Sequence, residues 1–342
     1  MTPIIDLRSD TVTRPTPAML AAMQAAPVGD DVYEEDPTVH QLEATLAARF
    51  GMAAGLFCPS GTMTNQIAIQ AHCPPLSEVI CEATAHVYLW EVGGIAHLAR
   101  ASVALLPGDR GRLTTTQIEA AIRPANNVHY PTTQLVCLEN THNRGGGSCY
   151  QWADLEAIAT FTKTKGLAMH LDGARIFNAL VATGQRSEDY GRLFDSISVC
   201  LSKGLGAPVG SVLLGSADFI RQCKRLRKLM GGGWRQAGYL AAAGLYALEH
   251  NVDRLADDHR RAARLAEALR LLPYVAEILE PETNLVIFRL HESYRSVADF
   301  LAQLEAQGIK ASGFGGSWVR FVTHLDVDDA MLERVLAAVG AL

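Results

Sequence analysis

Apolar and polar positions along this chain fall into short blocks that switch between two periods. Near-continuous apolar runs at 79–81, 103–106, 135–138, 167–171, 197–201 and 209–214 have the length and β-branched content of buried strands. Between them, 117–122, 153–160 and 176–181 carry apolar residues at helical spacing. Such alternation, with uninterrupted apolar strands, predicts an α/β fold with a mostly parallel sheet covered on both faces. Upstream, Thr16-Pro17 starts a helix through Gln24, proline being favoured at the first helical position. An acidic loop, Gly29-Asp30-Asp31-Val32-Tyr33-Glu34-Glu35-Asp36-Pro37, ends in an N-cap aspartate, and the following helix places Val39, Leu42, Leu46 and Phe50 on one face.

The pattern changes further on. Arg225-Leu226-Arg227-Lys228 reads as a basic turn leading into Gly231-Gly232-Gly233-Trp234-Arg235. A helical tract, 236–272, breaks near Asn251-Val252-Asp253 and reads as the passage between domains. Beyond it, 285–290, 297–306, 318–322 and 330–339 suit a small α+β domain of about a hundred residues. The expected division is 1–250 for an N-terminal segment and large domain, and 251–342 for a smaller C-terminal α+β domain.

At 342 residues, 49% of them hydrophobic, the chain can bury a large core and a second smaller one. A net charge of -6 with dispersed basic residues argues against nucleic acid and leaves a small molecule as the expected partner. Asp6 and Arg8 interrupt the N-terminus before a signal-type apolar region can form, and the aliphatic run 239–248 is too short for a bilayer, so no membrane partner is expected. Seven cysteines without a C-x-x-C pair, with Cys58, Cys137 and Cys200 inside strand-like runs, read as buried free thiols of a cytoplasmic protein. Without cysteine pairs or H-E-x-x-H, no zinc site is expected, and no site residue is assigned to a metal; the sequence leaves a structural monovalent or calcium ion open.

Candidate chemistry concentrates where apolar strands stop. Residues 196–201 form such a strand and end at Ser202-Lys203-Gly204-Leu205-Gly206-Ala207-Pro208-Val209-Gly210. Apolar flanks would bury Lys203, lower its pKa and suit it to forming an imine. A surface lysine in a strand-to-loop turn would have the same local sequence. Met169-His170-Leu171-Asp172-Gly173-Ala174-Arg175 likewise ends a strand on an aspartate. Gly55-Leu56-Phe57-Cys58-Pro59-Ser60-Gly61-Thr62 is a strand, a tight turn and a helix start, whose amides could hold an anion or simply receive a serine or threonine cap. Ligands of parallel α/β sheets lie beyond the strands' carboxyl ends. An imine-forming lysine, a carboxylate for a pyridinium nitrogen and a helix start for phosphate are together the requirements of pyridoxal 5'-phosphate.

Five motifs then carry a resemblance: Leu7-Arg8-Ser9-Asp10-Thr11, Pro27-Val28-Gly29-Asp30-Asp31-Val32-Tyr33, Glu139-Asn140-Thr141-His142-Asn143, the run from His170 through Asn178, and the run from Leu201 through Gly210. From about residue 5 to Asp326 the chain resembles the L-threonine aldolases of low specificity, with the aspartate-aminotransferase fold, type I. The resemblance implies that the large domain binds pyridoxal 5'-phosphate, that Lys203 carries it covalently, and that Asp172 meets the ring nitrogen. It implies His86 stacked on the ring, Gly61 and Thr62 at the phosphate, and Arg235 reaching that phosphate, from a neighbouring subunit if not from its own. Lys228 is a weaker candidate for that contact. Arg175 and Arg320, with Ser9, would bind the substrate carboxylate, and His129 would lie near the β-hydroxyl.

Implied too are cleavage of L-threonine or L-allo-threonine to glycine and acetaldehyde, activity on other β-hydroxy amino acids, and a homotetramer with sites at dimer interfaces. His86, His129 or a water held by them would be the base. An aminotransferase or β-eliminating lyase would use the same cofactor, and a cofactor-free binding protein would use none. Trp90 and Trp234 depart from the family pattern and bear on pocket size or subunit packing.

Overall fold

A computed structural model describes residues 3–342. It begins with β1 (Ile5–Asp6), α1 (Pro17–Gln24), α2 (Pro37–Arg49), β2 (Ala54–Cys58), α3 (Gly61–His72), β3 (Ser77–Glu82), α4 (His86–Leu89) and β4 (Ser102–Leu106). Next come α5 (Thr115–Ala121), β5 (Thr132–Glu139), α6 (Trp152–Lys165), β6 (Ala168–Gly173), α7 (Ile176–Thr183), α8 (Ser187–Tyr190), β7 (Ser196–Cys200) and β8 (Ser211–Gly215). Three helices, α9 (Ala217–Leu229), α10 (Gly238–His250) and α11 (Leu255–Arg270), lead into β9 (Val275–Leu279), β10 (Leu285–Leu290), α12 (Val297–Ala306), β11 (Ile309–Lys310), β12 (Ser312–Gly313), β13 (Trp318–Val322) and α13 (Asp329–Gly340).

Seven strands form the large sheet in the order β2-β8-β7-β6-β5-β3-β4. β8 runs antiparallel to both of its neighbours, and the remaining pairs are parallel. Every residue of β3, β7 and β8 is buried, including Glu78, Ser196 and Ser198, as expected of central strands covered on both faces. α2 shows how the cover is built: Asp36 caps the Thr38 and Val39 amides, Pro37 occupies the first position, and Val39, Leu42, Leu46 and Phe50 are all fully buried.

A four-stranded antiparallel sheet, β12-β13-β10-β9, carries the second core, in which Phe288, Phe300 and Phe321 pack with residues of α11 and α13. Ile5 and Leu7 belong to this core, and β1 pairs in parallel with β11. The start of the chain is thereby clamped to its last third. Among the described residues no helix is long and apolar enough to cross a membrane.

Three local expectations change. The basic turn at 225–228 is the end of α9, because Ile220, Cys223 and Leu226 give that segment a helical apolar face; Arg227 is buried, donating to the Phe57 carbonyl at 2.7 Å and pairing with Asp31 at 2.8 Å. The run at 209–214 returns antiparallel because the loop before it reverses the chain without a helix. β9 escapes the apolar pattern because all its positions are at least partly exposed.

Candidate active site

The parallel strands converge at their carboxyl ends. β6 ends on Asp172 and Gly173, β5 on Glu139, and Lys203 follows β7. The loop holding Lys203 is closed on itself: Leu201 donates to the Gly210 carbonyl (3.0 Å), Ala207 to Leu201 (3.1 Å) and Gly206 to Lys203 (2.8 Å). Thr13 Oγ1 donates to the Lys203 carbonyl as well, at 3.0 Å. Gly210, at φ +115°, lies against Phe57, where a Cβ would come within 2.5 Å of the ring. Backbone geometry therefore aims the lysine.

Ser9, His86, Arg175, Lys203 and Arg320, all singled out in the sequence, line one cavity of about 420 Å³, joined by Trp90, Asn143 and Phe314. Its two arginines differ. Arg175 is buried and forked onto Asp10, Nε to Oδ2 and Nη2 to Oδ1, both at 2.7 Å. Burial alone would raise the Asp10 carboxyl, but Arg175, with Lys203 and His324, holds it well below the usual carboxylate range. Arg320 donates instead to Asn143 Oδ1 (3.0 Å) and the Arg8 carbonyl (2.8 Å), lies over the Phe314 ring at 5.1 Å, and has no partner at its buried Nε. Burial, reinforced by Arg175, pulls its guanidinium down to about 10. A desolvated cation without a carboxylate is a seat for an anion.

Beneath the cavity lies a buried polar floor. Asp172 accepts from Asn65 Nδ2 (2.9 Å) and from the Ala174 amide (3.0 Å). Glu91 accepts from Asn65 Nδ2 (2.9 Å), Gln66 Nε2 (2.5 Å) and His86 Nδ1 (2.9 Å). Because Glu91 only accepts, His86 carries its hydrogen on Nδ1. Burial opposes charge on His86, yet the Glu91 hydrogen bond and the charges of Asp172, Glu91 and Glu139 raise its pKa above the ordinary imidazole value. Glu139 Oε2 accepts the His86 backbone amide and Oε1 that of Asn143, both at 2.8 Å, so one carboxylate sets two walls of the cavity.

The residues suit a phosphorylated pyridine aldehyde. At the start of α3 the Gly61 and Thr62 amides have no intrahelical acceptor, while Ser60 caps Met63. Gly61 is packed so closely that a Cβ there would meet Cys200 Sγ at 2.5 Å, and that sulfur is 3.8 Å from Lys203 Nζ. The start of α3 thus lies one side chain, Cys200, away from the amine, while Asp172 belongs to the floor beneath the cavity. Of the predicted residues, Asp172, Gly61 and Thr62 do not line the cavity itself, and His129 and Arg235 lie away from it. His129 is exposed before β5, at the opposite end of a strand that spans roughly 25 Å. Arg235, its side chain 58% exposed, pairs with Asp30 at 3.0 Å.

Local sequence assigns no site role to Asn65, Glu91, Asp10, Asn143 or Glu139. A polar run, Thr64-Asn65-Gln66, inside an otherwise apolar helix was the available signal, since buried amides need partners.

Comparison with known proteins establishes the family and the fold. A family model described as "Beta-eliminating lyase" matches residues 6–293. The low specificity L-threonine aldolase of Escherichia coli O157:H7 is 45% identical over 337 residues, 98% of each chain. A structure of Leishmania major threonine aldolase superposes with a TM-score of 0.86 at 21% identity, covering 98% of this chain and 99% of that one. The aspartate aminotransferase of Rhizobium meliloti does so at 0.69 and 18% identity, covering 99% and 91%. At those identities the structural likeness establishes the fold.

Proposed function

The chain belongs to the beta-eliminating lyase family, among the low-specificity L-threonine aldolases, and we propose that it is a pyridoxal 5'-phosphate-dependent lyase cleaving L-threonine and L-allo-threonine to glycine and acetaldehyde. Other β-hydroxy-α-amino acids fall within the same reading. The observation that carries it is one cavity joining Lys203, an anion-seeking Arg320 and His86, above the Asp172 floor.

Lys203 would hold the cofactor covalently, Asp172 would accept from its ring nitrogen, and the Gly61 and Thr62 amides would receive its phosphate. Bound there, pyridoxal phosphate supplies an electron sink for the pair released when the Cα–Cβ bond breaks. Arg320, aided by Ser9 and by the uncommitted Nη1 of Arg175, binds the amino-acid carboxylate and so fixes which Cα bond faces the sink. His86, its Nδ1 hydrogen pointed at Glu91, offers Nε2 to the β-hydroxyl proton and holds that proton against Glu91. Trp90, 55% exposed at the rim, bounds the space for the departing aldehyde.

We infer from the family a homotetramer of paired dimers with sites at the dimer interface, in which His129 and Arg235, away from the cavity of their own chain, would serve a neighbour's. Val128, almost fully exposed beside His129, fits a surface that a partner covers. In this reading 1–250 carries the cofactor and 251–342 brings Arg320. Seven free, buried cysteines favour the cytoplasm.

The test is to supply purified protein with pyridoxal phosphate and each threonine isomer and to follow acetaldehyde and glycine. Equimolar release of both is expected. Consumption that requires a keto-acid acceptor, or ammonia in place of glycine, would refute the reading.

A further inference from the structure

Asn65 stands between two buried carboxylates. Its Nδ2 is 2.9 Å from Asp172 Oδ2 and 2.9 Å from Glu91 Oε1, so each amide hydrogen has an anionic acceptor. Its Oδ1 is 3.1 Å from His170 Nε2. Turning the amide over would aim a carbonyl oxygen at two carboxylates, so the charges fix its orientation. That orientation requires His170 to donate from Nε2 and to accept at Nδ1 from Ser196 Oγ, 2.8 Å away. Burial pushes His170 down to about 3, which keeps the ring neutral and able to do both. Asn65, His170, Ser196, Asp172 and Glu91 are all buried, so water does not substitute for these bonds.

Asp172, Glu91 and His86 bring an oxygen or nitrogen each within 4.8 Å of one another. With the amide removed, the two carboxylates would face each other without a neutral donor between them, and like charges so close favour a shared proton. We propose that Asn65, locked by His170, is a positioning residue that bridges Asp172 and Glu91 and holds one for the cofactor ring nitrogen and the other for His86. The first half rests on the role given to Asp172 above; the second holds in the cofactor-free protein. His86 is faced by Glu91, Asp172 and Glu139, with Lys203, Arg175 and Arg320 lining the same cavity.

Two readouts test it: the titration midpoint of His86 in cofactor-free protein, by histidine NMR with the resonance assigned from its loss in His86→Asn, and the dissociation constant of pyridoxal phosphate. Asn65→Leu is expected to lower the His86 midpoint by about one pH unit and to weaken cofactor binding about tenfold. His170→Leu should move both in the same direction by less, whereas His170→Gln, whose amide nitrogen reaches the place of Nε2, should stay near wild type. An unshifted His86 midpoint in folded Asn65→Leu overturns the proposal. Should that variant fail to fold, equal midpoints in His170→Leu and His170→Gln overturn it. Wild-type protein that does not bind pyridoxal phosphate would refute the cofactor reading instead, and the His86 titration would still decide the role of Asn65.

Discussion

On the floor of the cavity, Asp172 and Glu91 each accept at least two hydrogen bonds, and Arg175 is matched to Asp10 on both sides of its fork. At the mouth, Arg320 reaches only a neutral amide oxygen and a backbone carbonyl, with its Nε unpartnered. The end of β6, helix α3, the loop after α4 and the docked N-terminal segment supply the first region; β13 of the smaller sheet supplies Arg320. A buried network whose carboxylates are all paired is rigid and costly to disturb, although Gln66 Oε1 has no partner, while a desolvated cation lacking a counter-charge is completed by a ligand. The floor is thus prepared for a permanent occupant and the mouth for a transient anion.

Breaking the mouth should give the larger effect. Arg320→Lys loses the planar fork, and since a charge-assisted bond contributes about 1.5–3 kcal/mol, KM for L-threonine should rise roughly 10- to 100-fold. Cofactor absorbance should stay as in wild type. A fall in kcat at unchanged KM, or a lost cofactor band, would assign Arg320 to the floor instead.

Altering the floor should sharpen the contrast through pH. Glu91 contributes to raising His86, so Glu91→Gln lowers that pKa. The base is lost as pH falls through its pKa, so the acid limb of kcat/KM should move to lower pH, by about one unit. Movement upward, or none, would separate His86 from the proton transfer.

How much of this is legible in the sequence follows from how local each feature is. Lys203 and Asp172 stand out because each ends an apolar strand and precedes glycine, and the strand alternation marks those ends as neighbours. Asp10 with Arg175, Asn65 with Asp172 and Asn143 with Arg320 are 165, 107 and 177 residues apart, and only the order β7-β6-β5-β3 and the docking of the N-terminal segment bring such partners together. The antiparallel return of β8 was hidden for a related reason, since its apolar run reads the same in either direction. His129 and Arg235 are expected from the resemblance alone, and one chain does not carry either to the cavity.

The most direct test of the central claim, that the cavity at the strand ends carries the cofactor on one amine, is borohydride reduction of the pyridoxal phosphate-loaded protein followed by peptide mapping. The account predicts the cofactor's mass on the peptide containing Lys203 and its absence in Lys203→Ala, which should retain the fold while losing on the order of 10⁴-fold in kcat. Cofactor fixed to another lysine, or to none, would contradict it.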